Sequence, residues 1–332
     1  MERRSLLRAA VAGAVGVPMG ARLSTGTASA APAPAPASYR VLVTRVDGTT
    51  DSIMEFDRTA PSFTAAHVRW RLRPGWGDVL EARYRTTAHD GQVVLVAAGD
   101  SPSQGRAGIY RKSDKKLLWS VPVHNYPHSI ELVRDNGAVV VAGAGTKRPD
   151  DGAPRPGGGL HLYTTGNGRV GSLAHVASYP LVEAHGVLWD PEYKLLWAIG
   201  RTEICRFRLV GSGSGVRLRE EGRRVRIGGN GHDLQPDYTD RHRLLLTDTH
   251  HVYALDKRTL KPTPLPGPLG NTQHVKSIVR HQSGEYVWAG VPKGSSSHFG
   301  GPEIHFHPPA DSRTCGKGTV TYKARIAVPA YQ

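Results

Sequence analysis

The chain has 332 residues, of which 43 are Lys or Arg and 28 are Asp or Glu, so its formal net charge is +15 with histidine neutral. Hydrophobic residues make up 39%, enough for a sizeable core, while 39 glycines and 24 prolines interrupt the chain too often for a helical bundle. The two cysteines, Cys205 and Cys315, are too few for a disulfide framework or a cysteine zinc site. The sequence is compatible with one disulfide between these two cysteines and with two free thiols.

The N-terminus has the pattern of an export signal. Arg3-Arg4 is a twin-arginine start, a short apolar stretch follows, and Ala28-Ser29-Ala30 is a small-x-small cleavage signal. We predict that the twin-arginine export machinery reads residues 1–30, that cleavage occurs near Ala30, and that the mature protein is secreted. The apolar stretch is shorter than the roughly 20 residues of a membrane span, so no transmembrane segment is expected. Residues 31–39, rich in alternating Ala and Pro, are predicted to be an extended spacer.

The mature chain is strongly basic, with a net charge of about +12 once residues 1–30 are removed. A basic extracellular surface attracts polyanions such as uronate-rich polysaccharides, teichoic acids, extracellular DNA or anionic membranes. A general Gly- and Arg-rich composition of the source organism would give the same charge. The sequence leaves both explanations open.

A repeat runs along the mature chain. Short stretches dense in Val, Leu, Ile, Tyr and Trp alternate with turn residues, and no segment keeps a helical period. In four units a histidine opens one strand and a second strand follows it: His128, His185, His232 and His274. An upstream unit lacks the histidine, and Arg83 or Tyr84 is predicted at the equivalent place.

The units predict an all-β fold, a single β-propeller. Four strands per unit at a period of about 42 to 57 residues are typical of propeller blades. Five units and an incomplete one at residues 40–73 predict six four-stranded blades in one domain, residues 40–332; seven blades would need a shorter repeat. A strand at residues 319–328 is expected to close the ring against the N-terminal strand, because closure removes exposed sheet edges.

The histidines are the main chemical signal. The first strand of each blade lines the central channel, so His128, His185, His232 and His274 are expected to converge at the channel mouth. Neutral imidazoles bind divalent metals and transfer protons near neutral pH. The predicted catalytic residues are His128, His185, His232, His274, Arg83 and Tyr126. The four histidines with Gln273 are the predicted ligands of a divalent metal (Mn, Ca, Zn or Mg), and no organic cofactor is expected. Alternatively, the histidines only hydrogen-bond between strands.

Other motifs carry less information. Trp119, Trp189, Trp197 and Trp288 recur at strand positions and are interpreted as core between blades rather than as a sugar-binding platform. The chain has no Gly-x-Ser-x-Gly, His-Glu-x-x-His or EF-hand pattern. Serine-hydrolase and thermolysin-like interpretations therefore have no support.

Several motifs resemble a known family. The segments NYPHSIELV, AHGVLWD, GHDLQP and VKSI, with YKARIAV near the end, are similar to secreted bacterial propeller proteins known only as a domain of unknown function. The likeness covers most of residues 40–328 and implies the fold without an activity. More distantly, the layout is similar to polysaccharide lyases such as oligogalacturonate lyase, which hold a divalent metal with histidines and a glutamine. Gln273 beside His274 would suit that ligand set, but the ligand spacing of that family is not reproduced.

Two classes of function remain after these observations. The preferred hypothesis is a secreted, monomeric enzyme that cleaves an acidic polysaccharide by β-elimination, with the histidine cluster acting with or without a divalent metal. A glycoside hydrolase is the second enzymatic choice, because Glu131, Glu183 and Asp233 show no evident pairing of carboxylates. The alternative class is a non-catalytic propeller that binds polyanions or a cell-surface partner.

Overall fold

Six antiparallel sheets make up the chain in the computed structural model, which describes residues 38–46, 51–99, 103–133, 137–146 and 153–331. This confirms the predicted all-β propeller with six four-stranded blades. The predicted export signal and residues 31–37 of the spacer lie outside the described residues.

The blades follow one another along the chain. Blade 1 takes three strands from the N-terminus and one from the C-terminus, whereas blades 2 and 3 are each continuous in sequence. Their strands are as follows: in blade 1, β1 (Arg40–Arg45), β2 (Ser52–Asp57) and β3 (Trp70–Leu72), joined by the C-terminal strand; in blade 2, β4 (Val79–Thr87), β5 (Gly91–Ala98), β6 (Arg106–Arg111) and β7 (Leu117–Pro122); in blade 3, β8 (Pro127–Val133), β9 (Ala138–Gly143), β10 (Gly159–Thr164) and β11 (Ala174–Pro180).

Blades 4 to 6 repeat the pattern, and blade 4 has one extra short strand paired with its third strand. Their strands are as follows: in blade 4, β12 (Gly186–Asp190), β13 (Leu195–Ile199), β14 (Glu203–Val210), β15 (Arg217–Glu220) and the extra β16 (Val225–Arg226); in blade 5, β17 (Asp233–Pro236), β18 (Arg243–Thr247), β19 (Val252–Asp256) and β20 (Lys261–Pro264); in blade 6, β21 (Val275–Arg280), β22 (Tyr286–Gly290), β23 (Glu303–His307) and β24 (Asp311–Thr314).

The ring closes through the C-terminal strand, β25 (Thr321–Ile326). It is the innermost strand of blade 1 and pairs antiparallel with β1, with Val41 opposite Ile326 and Val43 opposite Ala324. The predicted closing strand at residues 319–328 is therefore confirmed. This pairing gives blade 1 its fourth strand and joins the two ends of the described propeller in one sheet.

The helical content of the described residues is limited to four short 3-10 turns: Ala65–His67, Val170–Ser172, Gly213–Gly215 and Pro268–Asn271. None of them has the length and apolar composition needed to cross a membrane.

The hydrophobic core is divided among the six interfaces between neighbouring blades. Between blades 3 and 4, for example, Val140 and Leu162 pack with Trp189 and Phe207. Of the four repeated tryptophans, Trp119, Trp189 and Trp197 are buried in such interfaces, as predicted, and Trp288 is half-buried. Each blade thus has its apolar faces covered by its two neighbours, the nearest-neighbour packing expected of a repeat fold.

The two cysteines lie in different interfaces. Cys205 packs between blades 3 and 4, and Cys315 packs between blades 6 and 1. Both are buried free thiols, and burial raises the pKa of each to about 12. The two-thiol alternative therefore describes this structure.

The direction of the strands fixes which loops surround the channel mouth. Because neighbouring strands are antiparallel, the start of each inner strand lies at the same end as the loop between the second and third strands. Two of these loops connect β9 to β10 in blade 3, where residues 144–146 and 153–158 are described, and β22 to β23 in blade 6, residues 291–302.

Candidate active site at the channel mouth

Three of the four predicted histidines come together at the channel mouth. His128 is the second residue of β8, and His185 and His232 immediately precede β12 and β17. The ring centroids of His128 and His185 are 4.3 Å apart, and those of His185 and His232 are 5.5 Å apart. Equivalent positions in consecutive blades thus place three imidazoles in contact.

Backbone carbonyls fix the tautomers of the first two imidazoles. Nδ1 of His128 lies 2.9 Å from the carbonyl oxygen of Tyr126, and Nδ1 of His185 lies 2.7 Å from that of Glu183. Because a carbonyl oxygen only accepts, each Nδ1 carries the proton and each Nε2 keeps its lone pair. Burial lowers the pKa of His185 to about 3 and that of His128 well below its ordinary value. Both rings are therefore neutral bases or acceptors at neutral pH.

The third imidazole pairs with a lysine. Nζ of Lys276 lies 3.2 Å from Nε2 of His232, so the ammonium donates to that nitrogen. The proton of His232 is then on Nδ1, which is buried and has no hydrogen-bond partner among the described residues. Burial and the nearby Lys323 lower the pKa of Lys276 to about 8. We call His128, His185, His232 and Lys276 the mouth cluster.

Lys276, rather than His274, occupies the mouth position of blade 6. The pairing of β8 with β9 skips His128, and the pairing of β21 with β22 skips Lys276 in the same way, so both residues lie at a β-bulge. The sequence carried this signal, since each of the two residues is followed by Ser-Ile. The equivalence of Lys276 and His128 is not visible when the repeated units are matched by their histidines alone.

His274 and Gln273 do not join the other predicted residues. Both are exposed on the loop before β21, and His274 adopts a left-handed backbone conformation with φ 57°. In the described part of the chain neither forms a hydrogen bond or ring contact with the other three histidines. The expectation that His274 converges on the mouth is corrected for this reason.

Arg83 and Tyr84 also lie away from the predicted position. The pairing of β4 with β5 skips Leu80, so this buried leucine occupies the bulge that His128 occupies in blade 3. Arg83 lies farther along β4, and its guanidinium contacts Glu131 at 2.7 Å and Glu81 at 3.0 Å. The prediction placed Arg83 at the mouth because the bulge could not be seen in a unit without a histidine.

Two tyrosines border the cluster. The ring of Tyr126 meets His128 edge-on, with centroids 4.2 Å apart, and Tyr322 of β25 lies 6.0 Å from the same imidazole. The guanidinium of Arg155 lies 5.0 Å from the centre of the Tyr126 ring. With Leu80, the tyrosines belong to an apolar cluster that forms one side of the mouth.

Below the mouth, the channel is filled by a buried ion-pair network, defined by Glu81, Arg83, Arg85, Glu131, Asp233, Lys323 and Arg325. Arg325 contacts Glu81 and Asp233, both at 2.8 Å, and Arg85 contacts Glu131 at 2.7 Å. The adjacent Arg325 and Lys323 hold the pKa of the Asp233 carboxyl at about 2. Glu131 and Asp233 are therefore occupied by ion pairs rather than placed as a pair of facing catalytic carboxylates.

Among the described residues, no group of three or more His, Cys, Asp or Glu side chains is spaced to hold a metal ion. The third imidazole nitrogen that would face such an ion, Nε2 of His232, faces the ammonium of Lys276 instead. The predicted divalent metal stays a prediction.

The fold is similar to that of solved propeller proteins. A chain of the nidogen/laminin complex matches with a TM-score of 0.57 and 11% identity, over 87% of this chain and 98% of that chain. A putative 6-phosphogluconolactonase from Bacteroides fragilis NCTC 9343 matches with a TM-score of 0.57 and 13% identity, over 89% and 84%. A second one, from Bacteroides uniformis ATCC 8492, matches with a TM-score of 0.51 and 12% identity, over 85% and 82%. These similarities concern the fold alone.

A family described as a family of unknown function, DUF6528, matches residues 27–287. No curated protein sequence matches this chain significantly.

Proposed function

Since this chain belongs to the DUF6528 family, whose description assigns no activity, we propose from its own residues that it cleaves acidic polysaccharides by β-elimination at the channel mouth. One observation carries the proposal: neutral imidazoles with oriented Nε2 lone pairs lie directly beside a lysine ammonium in the mouth cluster. A base next to a positive charge suits removal of a proton from a carbon next to a carboxylate.

Lys276 is the group that would bind the carboxylate. Its ammonium is buried against a neutral imidazole and has no carboxylate within ion-pair distance among the described residues. A buried cation without an anion is costly, and a carboxylate from a ligand would compensate the charge. The chain thus offers a positive group where the sequence analysis expected a metal ion.

His185 is the group that would take the proton. It lies between the other two imidazoles, and the charge of Lys276 helps to keep its pKa low. A carboxylate bound to Lys276 would offset the lysine charge and raise the pKa of His185, which makes the imidazole a stronger base. Its Nε2 would then remove the proton next to the carboxylate, and that electron pair would form a double bond to the next carbon. The bond from that carbon to the glycosidic oxygen breaks, and the leaving oxygen takes a proton from solvent.

Hydrolysis has less support than elimination. A glycosidase needs one carboxylic acid and one carboxylate on opposite sides of the scissile bond. Glu131 and Asp233 are held in the ion-pair network, and a carboxylate oxygen of Glu183 accepts the backbone N–H of Arg155 at 3.0 Å. The twin-arginine pattern supports an extracellular setting, where such polymers occur.

The proposal is tested by incubating the protein with polygalacturonate, alginate and hyaluronan and following the ultraviolet absorbance of unsaturated uronate ends. We expect activity on one of these polymers, its loss in His185→Ala, and unchanged activity in His175→Ala, a control on the outer strand β11. A parallel reaction with a chelator separates a metal-assisted step from a metal-free one. Polymer binding without any unsaturated product would reject catalysis and favour the non-catalytic binding protein.

A further inference from the structure

The outer wall of blade 4 carries an unusual density of arginine. Strands β14 to β16 and the turns between them contribute seven arginines and three glutamates, and β20 of the neighbouring blade adds Lys261. We call this surface the arginine wall; it comprises Arg206, Arg208, Arg217, Arg219, Arg223, Arg224, Arg226 and Lys261, with Glu203, Glu220 and Glu221.

The strand register places like charges opposite each other on this wall. Arg208 of β14 lies directly across from Arg219 of β15. Both guanidinium groups share one carboxylate, that of Glu221, at 2.9 Å and 3.3 Å. Like charges at directly opposed strand positions are destabilising, so the folded wall retains an electrostatic cost that an anionic ligand would reduce.

Several cations of the wall have no acidic partner. Glu220 is occupied by Arg224, and Glu203 is shared by Arg224 and Arg226. Arg217, Arg223 and Lys261 are exposed and form no ion pair in the described part of the chain. The guanidinium of Arg217 donates only to the carbonyl oxygens of Ser214 and Val216.

The wall also contains a groove. A cavity of about 690 Å³ lies between the outer parts of blades 4 and 5. One side of it is formed by Arg223 to Arg226 with Glu203, whose carboxylate pairs with Arg224 and Arg226, and the other side by Thr259 to Pro262. A segment of an extended polymer could therefore contact guanidinium groups along a concave surface rather than a single point charge.

We propose that the arginine wall binds the carboxylates of an acidic polysaccharide at several consecutive sugars, as a second binding surface apart from the channel mouth. The planar guanidinium binds carboxylates through two parallel hydrogen bonds, which suits this ligand. The inference shares the ligand class of the proposed function but not its site, so it stands or fails independently of catalysis.

Two other anionic partners fit the wall less well. Single-stranded nucleic acid is held by aromatic side chains that stack on bases, and the large exposed hydrophobic residues among those described, Leu117 and Val182, are not aromatic and not part of the wall. Insertion into a membrane surface needs exposed apolar side chains, whereas Leu218 and Val225, on the strands that carry the wall, are buried.

The test measures binding of polygalacturonate by isothermal titration calorimetry to the full chain and to two triple variants. The wall variant is Arg217→Gln, Arg219→Gln and Arg223→Gln. The control variant is Arg73→Gln, Arg106→Gln and Arg169→Gln, which removes the same charge from exposed arginines of blades 1 to 3. We expect the wall variant to bind at least about tenfold more weakly with a smaller salt dependence, and the control to change by less than about twofold.

Two outcomes would overturn the inference. Equal losses in the wall and control variants would mean that net charge alone governs binding. Tighter binding of a single-stranded oligonucleotide than of polygalacturonate, with the same loss in the wall variant, would assign the wall to nucleic acid. Lys276→Met provides the cross-check on the two sites, since it removes the mouth lysine and leaves the wall intact.

Discussion

Nζ of Lys276 lies 3.2 Å from Nε2 of His232, so this buried lysine donates its side-chain hydrogen bond to a neutral imidazole. Lys323, next to it, has a different environment. Its ammonium donates to the carbonyl oxygens of His232 and Lys276, both at 2.7 Å, and to the carboxylate of Asp233 at 3.1 Å. Three acceptors match the three donors of Lys323, whereas the charge of Lys276 is uncompensated. Lys323 is therefore suited to hold the structure and Lys276 to hold a ligand.

This contrast predicts opposite effects on stability. Burial lowers the pKa values of both Lys276 and Lys323 to about 8, so the contrast rests on their partners: Lys323 has a carboxylate, whereas the side chain of Lys276 donates to a neutral imidazole. Lys276→Met should therefore raise the free energy of unfolding at pH 7 by about 1–3 kcal/mol. Lys323→Met leaves two carbonyl oxygens without this donor and Asp233 with Arg325 as its remaining side-chain cation, and it should lower the free energy of unfolding by about 3 kcal/mol.

Urea unfolding of the two variants beside the wild type measures both changes. Lys261→Met, an exposed lysine, serves as the control and should stay within about 0.5 kcal/mol. Destabilisation by Lys276→Met as large as that by Lys323→Met would show that Lys276 is a structural residue and would weaken the proposed site.

The pKa of Lys276 also predicts how ligand binding depends on pH. The ammonium is the form that attracts a carboxylate, and its fraction falls as the pH rises through about 8. Affinity for oligogalacturonate at constant ionic strength should fall by up to about tenfold per pH unit above that value. In Lys276→Arg the decrease should move to higher pH, because guanidinium keeps its proton. A flat profile in the wild type would contradict a role for Lys276 in binding.

Most of the fold could be predicted from the sequence. Alternation of apolar stretches and turn residues predicted the strands, and the repeated histidine units predicted six blades. The closing strand at residues 319–328 was predicted because ring closure removes exposed sheet edges. These features follow from local patterns that every blade repeats.

The candidate site could be predicted only in part. His128, His185 and His232 were found because they are the same residue at equivalent positions. Lys276 was missed because a different residue occupies that position, and Leu80 was missed because a bulge shifts the register in a unit that has no polar residue there. Register shifts of this kind depend on how neighbouring strands pair, which one strand alone does not encode.

The buried imidazoles predict a loss of stability in acid. Burial lowers the pKa of His185 to about 3, and lowers those of His128 and His232 well below the ordinary value of about 6.5. Below pH 6.5 the unfolded chain therefore binds protons that the folded chain does not, so the free energy of unfolding falls as the pH falls from 6.5 toward 3. Glu81 and Asp233, whose pKa values are lowered, add their own loss only below about pH 4.

The change in the free energy of unfolding between pH 6.5 and 4.5 thus comes from the histidines. His185→Asn keeps a side-chain N–H for the carbonyl oxygen of Glu183 but cannot be protonated. It should reduce the pH slope of stability in urea unfolding by about 1.4 kcal/mol per pH unit at most. His307→Asn on β23 is the control. An unchanged slope in His185→Asn would mean that this imidazole is protonated in the folded protein.

The closure of the ring makes a last prediction, centred on Arg325. Its buried guanidinium joins the C-terminal strand to Glu81 of blade 2 and Asp233 of blade 5 through hydrogen bonds of 2.8 to 3.0 Å. Arg325→Met would leave two buried carboxylates without this partner and should lower the free energy of unfolding by about 3–5 kcal/mol. Combining it with Glu81→Gln and Asp233→Asn should deepen the loss, because Lys323 then loses the carboxylate that compensates its buried charge and Arg83 loses one of its two.

Urea unfolding followed by tryptophan fluorescence measures this series, with Arg258→Met as a surface control expected to stay within about 0.5 kcal/mol. If the charges matter, the triple variant must be less stable than Arg325→Met alone, because it takes carboxylates away from two buried cations. A triple variant at least as stable as the single one would mean that Arg325 acts through packing. The buried network would then stabilise the closed ring through side-chain packing rather than through charge compensation.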